Sequence, residues 1–332
     1  MTGKILKSIG DVKLRRIIAI AVTVLVLGGV AAVLIQRHTQ PIEEYLKAIL
    51  IKEGPDRALA ATERILEQRG FGKDRCHVVL HVLGRAAFEH FRDFGTAVGS
   101  PGVASGICTA GYIHGVIENF FGHSDNPLAA AEAVCERYRN VNPQLYGNCL
   151  HGIGHGFMFY TNDDLPKSLY LCDQLPEGGQ TCSNGVFMEN FNASITVGHP
   201  TDYVRADDLF YPCNTEGIKY KQECYYYAPD QFLALYPRQY KEALEWCLEA
   251  GPANQNHCIE RVGNRAFQDN YPDEEFAQNL CANATEENTR AECFEGIARG
   301  YKYFFNSVER AREFCQKTVR PQYRQWCPAE FL

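Results

Sequence analysis

The sequence has no short C-x-x-C pair, no H-E-x-x-H, no G-x-S-x-G, no C-x-x-C-H and no glycine-rich phosphate loop. These absences exclude paired thiolate zinc knuckles, the helical zinc-protease motif, the nucleophile turn of α/β hydrolases, c-type haem attachment and P-loop chemistry. β-branched alternation is scarce, so the pattern predicts helices rather than strands. No Pro/Ser/Gly-rich linker divides the main part of the chain, which is long enough for one large core or two smaller ones. Cysteine is absent before position 76.

What precedes the cysteines is an uncharged run at 17–35, 19 residues long. At about 1.5 Å per residue a helix of this length spans roughly 28 Å, enough for a bilayer core. Lys4, Lys7, Lys13, Arg15 and Arg16 flank it on the N-terminal side, opposed only by Asp11. Positive charge is retained in the cytoplasm, so the expectation is an anchor with its N-terminus inside and its main domain outside. A cleaved signal peptide is the rival reading, with Gly28, Gly29, Ala31 and Ala32 as small residues for cleavage, but the run exceeds the usual signal core. The expected organisation is a basic tail at 1–16, a transmembrane anchor at 17–36, a juxtamembrane helical segment at 37–72 and a Cys-rich repeat domain at 73–332.

All 14 cysteines lie beyond the anchor. An even number in an extracytoplasmic compartment (periplasm, cell surface or secretory lumen) predicts disulfides. The chain beyond the anchor has 28 basic and 39 acidic residues, a net charge of −11, which argues against nucleic acid as a partner.

The cysteines form a repeat. Cys135/Cys149, Cys172/Cys182, Cys213/Cys224, Cys247/Cys258, Cys281/Cys293 and Cys315/Cys327 are spaced 10 to 14 residues apart; Cys76 and Cys108 remain, with a pairing to each other across the first two units one option that the spacing leaves open. The second cysteine of a pair begins a related segment, such as CLHGIGHGFMFY from Cys149 and CFEGIARGYKYF from Cys293. The period of these segments is that of a helical-hairpin repeat. The fold class expected is therefore all-α: helical hairpins, each with a disulfide across its turn, in an open solenoid or a closed α/α toroid. Gly111, Gly115, Gly152, Gly156, Gly185, Gly296 and Gly300 recur at helical spacing and predict close helix contacts on one face.

Five histidines fall in three successive cysteine-led segments: His77, His81, His114, His151 and His155. His77/His81 and His151/His155 are i,i+4 pairs, and His114/Glu118 has the same spacing. Residues four apart share a helix face, so two imidazoles can bind one ion. With the cysteines in disulfides, only nitrogen and oxygen ligands remain, which suits zinc, copper, iron or manganese. Glu118 and Glu189 are the carboxylates placed to act as ligand or general base. The same repeat positions downstream hold Asn184/Met188, Tyr226/Asp230, Glu260/Asn264 and Glu295/Arg299, a polar stripe if the repeats stack in register.

Two functions are consistent with these residues. One is a metal-dependent hydrolase or oxidase with one or two ions held by the five histidines in a polar groove. The other is a non-enzymatic scaffold that presents Tyr226, Asp230, Glu260, Asn264, Glu295 and Arg299 to a protein or peptide partner. Asn192-Ala-Ser and Asn283-Ala-Thr are glycosylation sequons in a eukaryotic secretory pathway.

Overall fold

The computed structural model describes residues 42–69, 76–100, 106–196 and 201–332. The expected tail and anchor at 1–36 lie outside the described residues. Among the described residues there is no strand, and no helix is long and apolar enough to cross a membrane. The chain divides into two compact units, Met1–Tyr45 and Leu46–Leu332. The second unit holds every cysteine and all five histidines of the cluster.

Sixteen α-helices lie among the described residues. The first five are α1 (Ile42–Glu53), α2 (Pro55–Arg69), α3 (Cys76–Phe91), α4 (Phe94–Val98) and α5 (Gly111–Gly122). Then come α6 (Pro127–Val134), α7 (Glu136–Arg139), α8 (Pro143–Thr161), α9 (Leu165–Asp173), α10 (Gly179–Thr196) and α11 (Lys221–Leu235). The last are α12 (Tyr240–Cys247), α13 (Gln255–Asn270), α14 (Glu274–Ala282), α15 (Glu287–Phe304) and α16 (Val308–Gln316). Helices α3, α5, α8, α10, α11, α13 and α15 pack each on the next in chain order, and the shorter helices between them complete the hairpins.

Local sequence sets many of the starts. Asn126, Asn142 and Asp164 accept backbone N–H groups at the N-termini of α6, α8 and α9, with Pro127, Pro143 and Pro166 in the first turns. Each such cap contributes about 1 kcal/mol, and proline in the first turn forfeits no helical hydrogen bond.

The seven disulfides are Cys76–Cys108 and the six pairs expected from spacing, and no cysteine is free. In the regular hairpins the bond ties the end of a short helix to the first or second turn of the next long one. Cys172 in α9 to Cys182 in α10 is an example. Closing so short a loop contributes about 2–3 kcal/mol through the unfolded state.

The C-terminal end of α15 returns to the N-terminal repeats. Gln144 Nε2 donates to Lys302 O at 2.8 Å, and the Cys108 N–H donates to Phe304 O. Of the two sequons, Asn283 is exposed. Asn192 is buried, and its Nδ2 donates to Asp230 Oδ2 (2.7 Å) and Met188 O (3.0 Å), so its amide is engaged in the folded chain.

Candidate metal centre

Four inner helices build the site: His77 and His81 lie on α3, His114 and Glu118 on α5, His151 and His155 on α8, and Glu189 on α10. All seven side chains are buried. Glycine on the facing helix brings these backbones together. A Cβ on Gly115 would lie 2.0 Å from His81 O, and one on Gly185 would lie 1.9 Å from His151 O, so no larger residue fits at this separation. The sequence expected close contact at these glycines; the structure shows that the surface approached is the histidine-bearing turn itself.

The imidazoles converge. Ring centroids lie 4.5 Å apart for His77/His81, 5.0 Å for His81/His155, 4.9 Å for His114/His155 and 5.0 Å for His114/His151. Ligand atoms of His77, His81, His114 and His155 all lie within 4.8 Å of one another, and so do those of His81, Glu118, His155 and Glu189. His151 falls outside both groups of four.

The hydrogen bonds assign the rings. His77 Nδ1 lies 2.7 Å from Cys108 O, and His114 Nε2 lies 2.9 Å from Asn148 O. A carbonyl only accepts, so these nitrogens carry the protons and donate. His81 Nδ1 lies 2.5 Å from Glu118 Oε1, and His155 Nδ1 lies 2.6 Å from Glu189 Oε2. His155 Nδ1 donates to Glu189, while His81 Nδ1 is in ion-pair contact with Glu118; with Nδ1 of both rings protonated, the free lone pairs are Nε2 of His77, His81 and His155, and Nδ1 of His114. His77 Nε2 and His81 Nε2 are 2.9 Å apart. Two lone pairs so placed repel unless a cation or proton lies between them. His114 Nδ1, Glu118 Oε1 and Glu189 Oε1 have no hydrogen-bond partner among the described residues. Buried polar atoms are rarely left unpaired.

Burial disfavours the charged form of four of the rings. Burial, followed by the charge of neighbouring imidazoles, holds His77, His81, His114 and His151 well below the ordinary histidine pKa. Neutral imidazole is the metal-binding form. Arg85 Nη1 donates to Glu118 Oε2 at 2.6 Å, giving that carboxylate a cationic partner. A cavity of ≈ 360 Å³ opens beside this pair, with Val82, Asn119 and Phe159 also in its wall.

The turn before α5 is strained. Cys108, Thr109 and Ala110 have φ of 53°, 57° and 55°, three consecutive non-glycine residues in the left-handed region. Each costs about 1–2 kcal/mol. The Cys76–Cys108 disulfide and the bond from Cys108 N–H to Phe304 O hold this turn, and its Cys108 carbonyl orients His77.

Arg85 and the carbonyls of Cys108 and Asn148 were not singled out from the sequence. A signal for Arg85 existed, because His77, His81 and Arg85 form an i, i+4, i+8 series along α3. The carbonyls carry no sequence signal. Further along the stripe, Asp230 is bound by Arg261 (2.6 Å) and Arg265 (2.7 Å), and Glu260 and Asn264 are buried. Tyr226, Glu295 and Arg299 remain partly accessible. No protein-family model, curated protein or solved structure matches this chain.

Proposed function

We propose that the chain is a membrane-anchored, extracytoplasmic metalloprotein with a redox-active ion, iron or copper, bound by His77 Nε2, His81 Nε2, His114 Nδ1 and His155 Nε2. The observation that carries this reading is the set of four buried imidazoles whose ligand atoms lie within 4.8 Å of one another. Three are fixed by a hydrogen bond on the opposite ring nitrogen and His81 by its ion-pair contact with Glu118. Metal–nitrogen bonds of about 2.0–2.1 Å place the nitrogens of a tetrahedral site roughly 3.3 Å apart, within reach of the present spacing by small side-chain shifts.

Three arguments select among the alternatives. Four ring nitrogens fill a tetrahedral zinc shell, whereas zinc that activates water keeps one position open. That supports a redox ion and an oxidase over a hydrolase, and imidazole suits iron and copper. Charge supports one ion over two. The centre holds Glu118 and Glu189 against Arg85, so one divalent ion leaves a single excess positive charge and a second leaves three. Glu118 and Glu189 act behind the imidazoles, as carboxylates that fix ring tautomer and orientation commonly do. The cavity at Arg85 and Glu118 is the candidate route to the centre for a small polar substrate.

The test is metal content. The full chain, purified without a polyhistidine tag, should contain close to one iron or copper per molecule by mass spectrometry. His81→Ala together with His155→Ala should abolish binding while leaving helical circular dichroism and the absence of free thiols unchanged. Metal-free wild type that binds no offered ion, or protein that holds zinc alone, would overturn the reading.

A further inference from the structure

His151 is the one histidine of the five outside both groups of four, yet its Nε2 sits 3.0 Å from His155 Nε2. Its other close neighbour is a sulfur: Met188 Sδ lies 3.3 Å from His151 Nε2. Both side chains are buried. The chain has only three methionines, so a thioether at this place is not the by-product of a methionine-rich core.

The repeat gives this contact a meaning. His77 and His81 are joined by His114, the sixth residue after Cys108. His151 and His155 are accompanied by Met188, the sixth residue after Cys182. The second set lies 74 residues after the first at every position, and Met188 stands where His114 stands. The two sets meet, with His114 5.0 Å from His151 and 4.9 Å from His155 by ring centroids. One set therefore offers three nitrogens, and the other offers two nitrogens and a sulfur.

We propose that Met188 is a metal ligand, and that His151 Nε2, His155 Nε2 and Met188 Sδ form a nitrogen–nitrogen–sulfur set for monovalent copper. This rests on the metal centre described above and narrows its ion to copper. Thioether is a soft, neutral donor that selects Cu(I), while imidazole serves copper in either oxidation state. Binding Cu(I) to three neutral donors needs no deprotonation, and the carboxylate of Glu189 behind His155 balances the ion's single charge. His155 belongs to both sets, so the four-nitrogen and the sulfur-containing arrangements are alternative shells for one ion. The sulfur accepts an N–H when His151 is protonated at Nε2; with that nitrogen unprotonated, the same 3.3 Å contact leaves a nitrogen and a sulfur donor side by side.

The test uses the full chain with selenomethionine in place of methionine, which leaves the fold as it is. The protein is loaded anaerobically with Cu(I), freed of excess, and measured by X-ray absorption at the selenium and copper edges. A copper–selenium contact is expected, and Met188→Leu should remove it, which identifies the methionine responsible. The same variant should weaken Cu(I) binding against a competing chelator by roughly tenfold or more, with Zn(II) affinity unchanged. Copper bound with nitrogen neighbours alone would make Met188 a packing residue and overturn this proposal while leaving the histidine centre standing. Failure to bind either Cu(I) or Zn(II) would overturn the centre and this proposal with it.

Discussion

Glu189 Oε2 lies 2.6 Å from His155 Nδ1, and that contact repeats the one between Glu118 Oε1 and His81 Nδ1 at 2.5 Å. The carboxylates occupy different registers, Glu118 ten residues after Cys108 and Glu189 seven after Cys182. A carboxylate contact to the second histidine of each pair is thus made from two different turns. If these contacts orient the imidazoles for an ion, Glu118→Gln and Glu189→Gln should each lower metal affinity about 10–100-fold. Competition titration against a chelator measures this. Unchanged affinity in both variants would detach the carboxylates from the centre.

Stability of the metal-free chain should fall as pH drops. His77, His81, His114 and His151 are held well below the ordinary value, chiefly by burial. In the unfolded chain they titrate near 6.5. Below that pH the unfolded state binds more protons than the folded one, so acid favours unfolding. The contribution is complete above about pH 6.5 and is lost progressively as pH falls below it. Urea midpoints between pH 8 and pH 5 check this, and a variant with His77 and His114 replaced by glutamine should show a flatter profile. Identical slopes for wild type and variant would contradict it.

Gly185→Ala should damage both fold and centre. The new Cβ would lie 1.9 Å from the His151 carbonyl, so α8 and α10 must separate. Overpacking of this kind costs about 1–3 kcal/mol, and more where backbone rather than a flexible side chain blocks the way. Gly122→Ala, where a Cβ meets nothing within 4 Å, is the control and should be neutral or stabilising. Thermal melts compare the two. Equal melting temperatures would mean that the close approach of α8 and α10 is not required.

The proposed topology predicts that protease added outside intact cells or spheroplasts digests the chain beyond residue 40 and spares an N-terminal tag. The basic residues before the uncharged run motivate it. Protection of the C-terminal region would reverse the orientation.

Cysteine spacing identified six of the seven disulfides, because each short pair brackets one turn; the connectivity of Cys76 and Cys108, 32 residues apart, was settled by the structure. Helical class was equally legible, since periodicity, caps and proline placement are local properties of the chain. The i,i+4 histidine pairs marked the candidate residues for the same reason, because residues four apart share a helix face whatever the rest of the protein does. What could not be read was which nitrogens face inward, because ring orientation depends on acceptors from distant segments. The Cys108 carbonyl turns His77 and the Asn148 carbonyl turns His114. Arg85, Glu118 and Glu189 take their places only when four helices stack at glycine contacts. Sequence determined the helices, their staples and the histidine inventory through short-range chemistry. Tertiary structure alone decided the gathering of the imidazoles and the nearness of Met188 to His151, since both depend on the distance between helices.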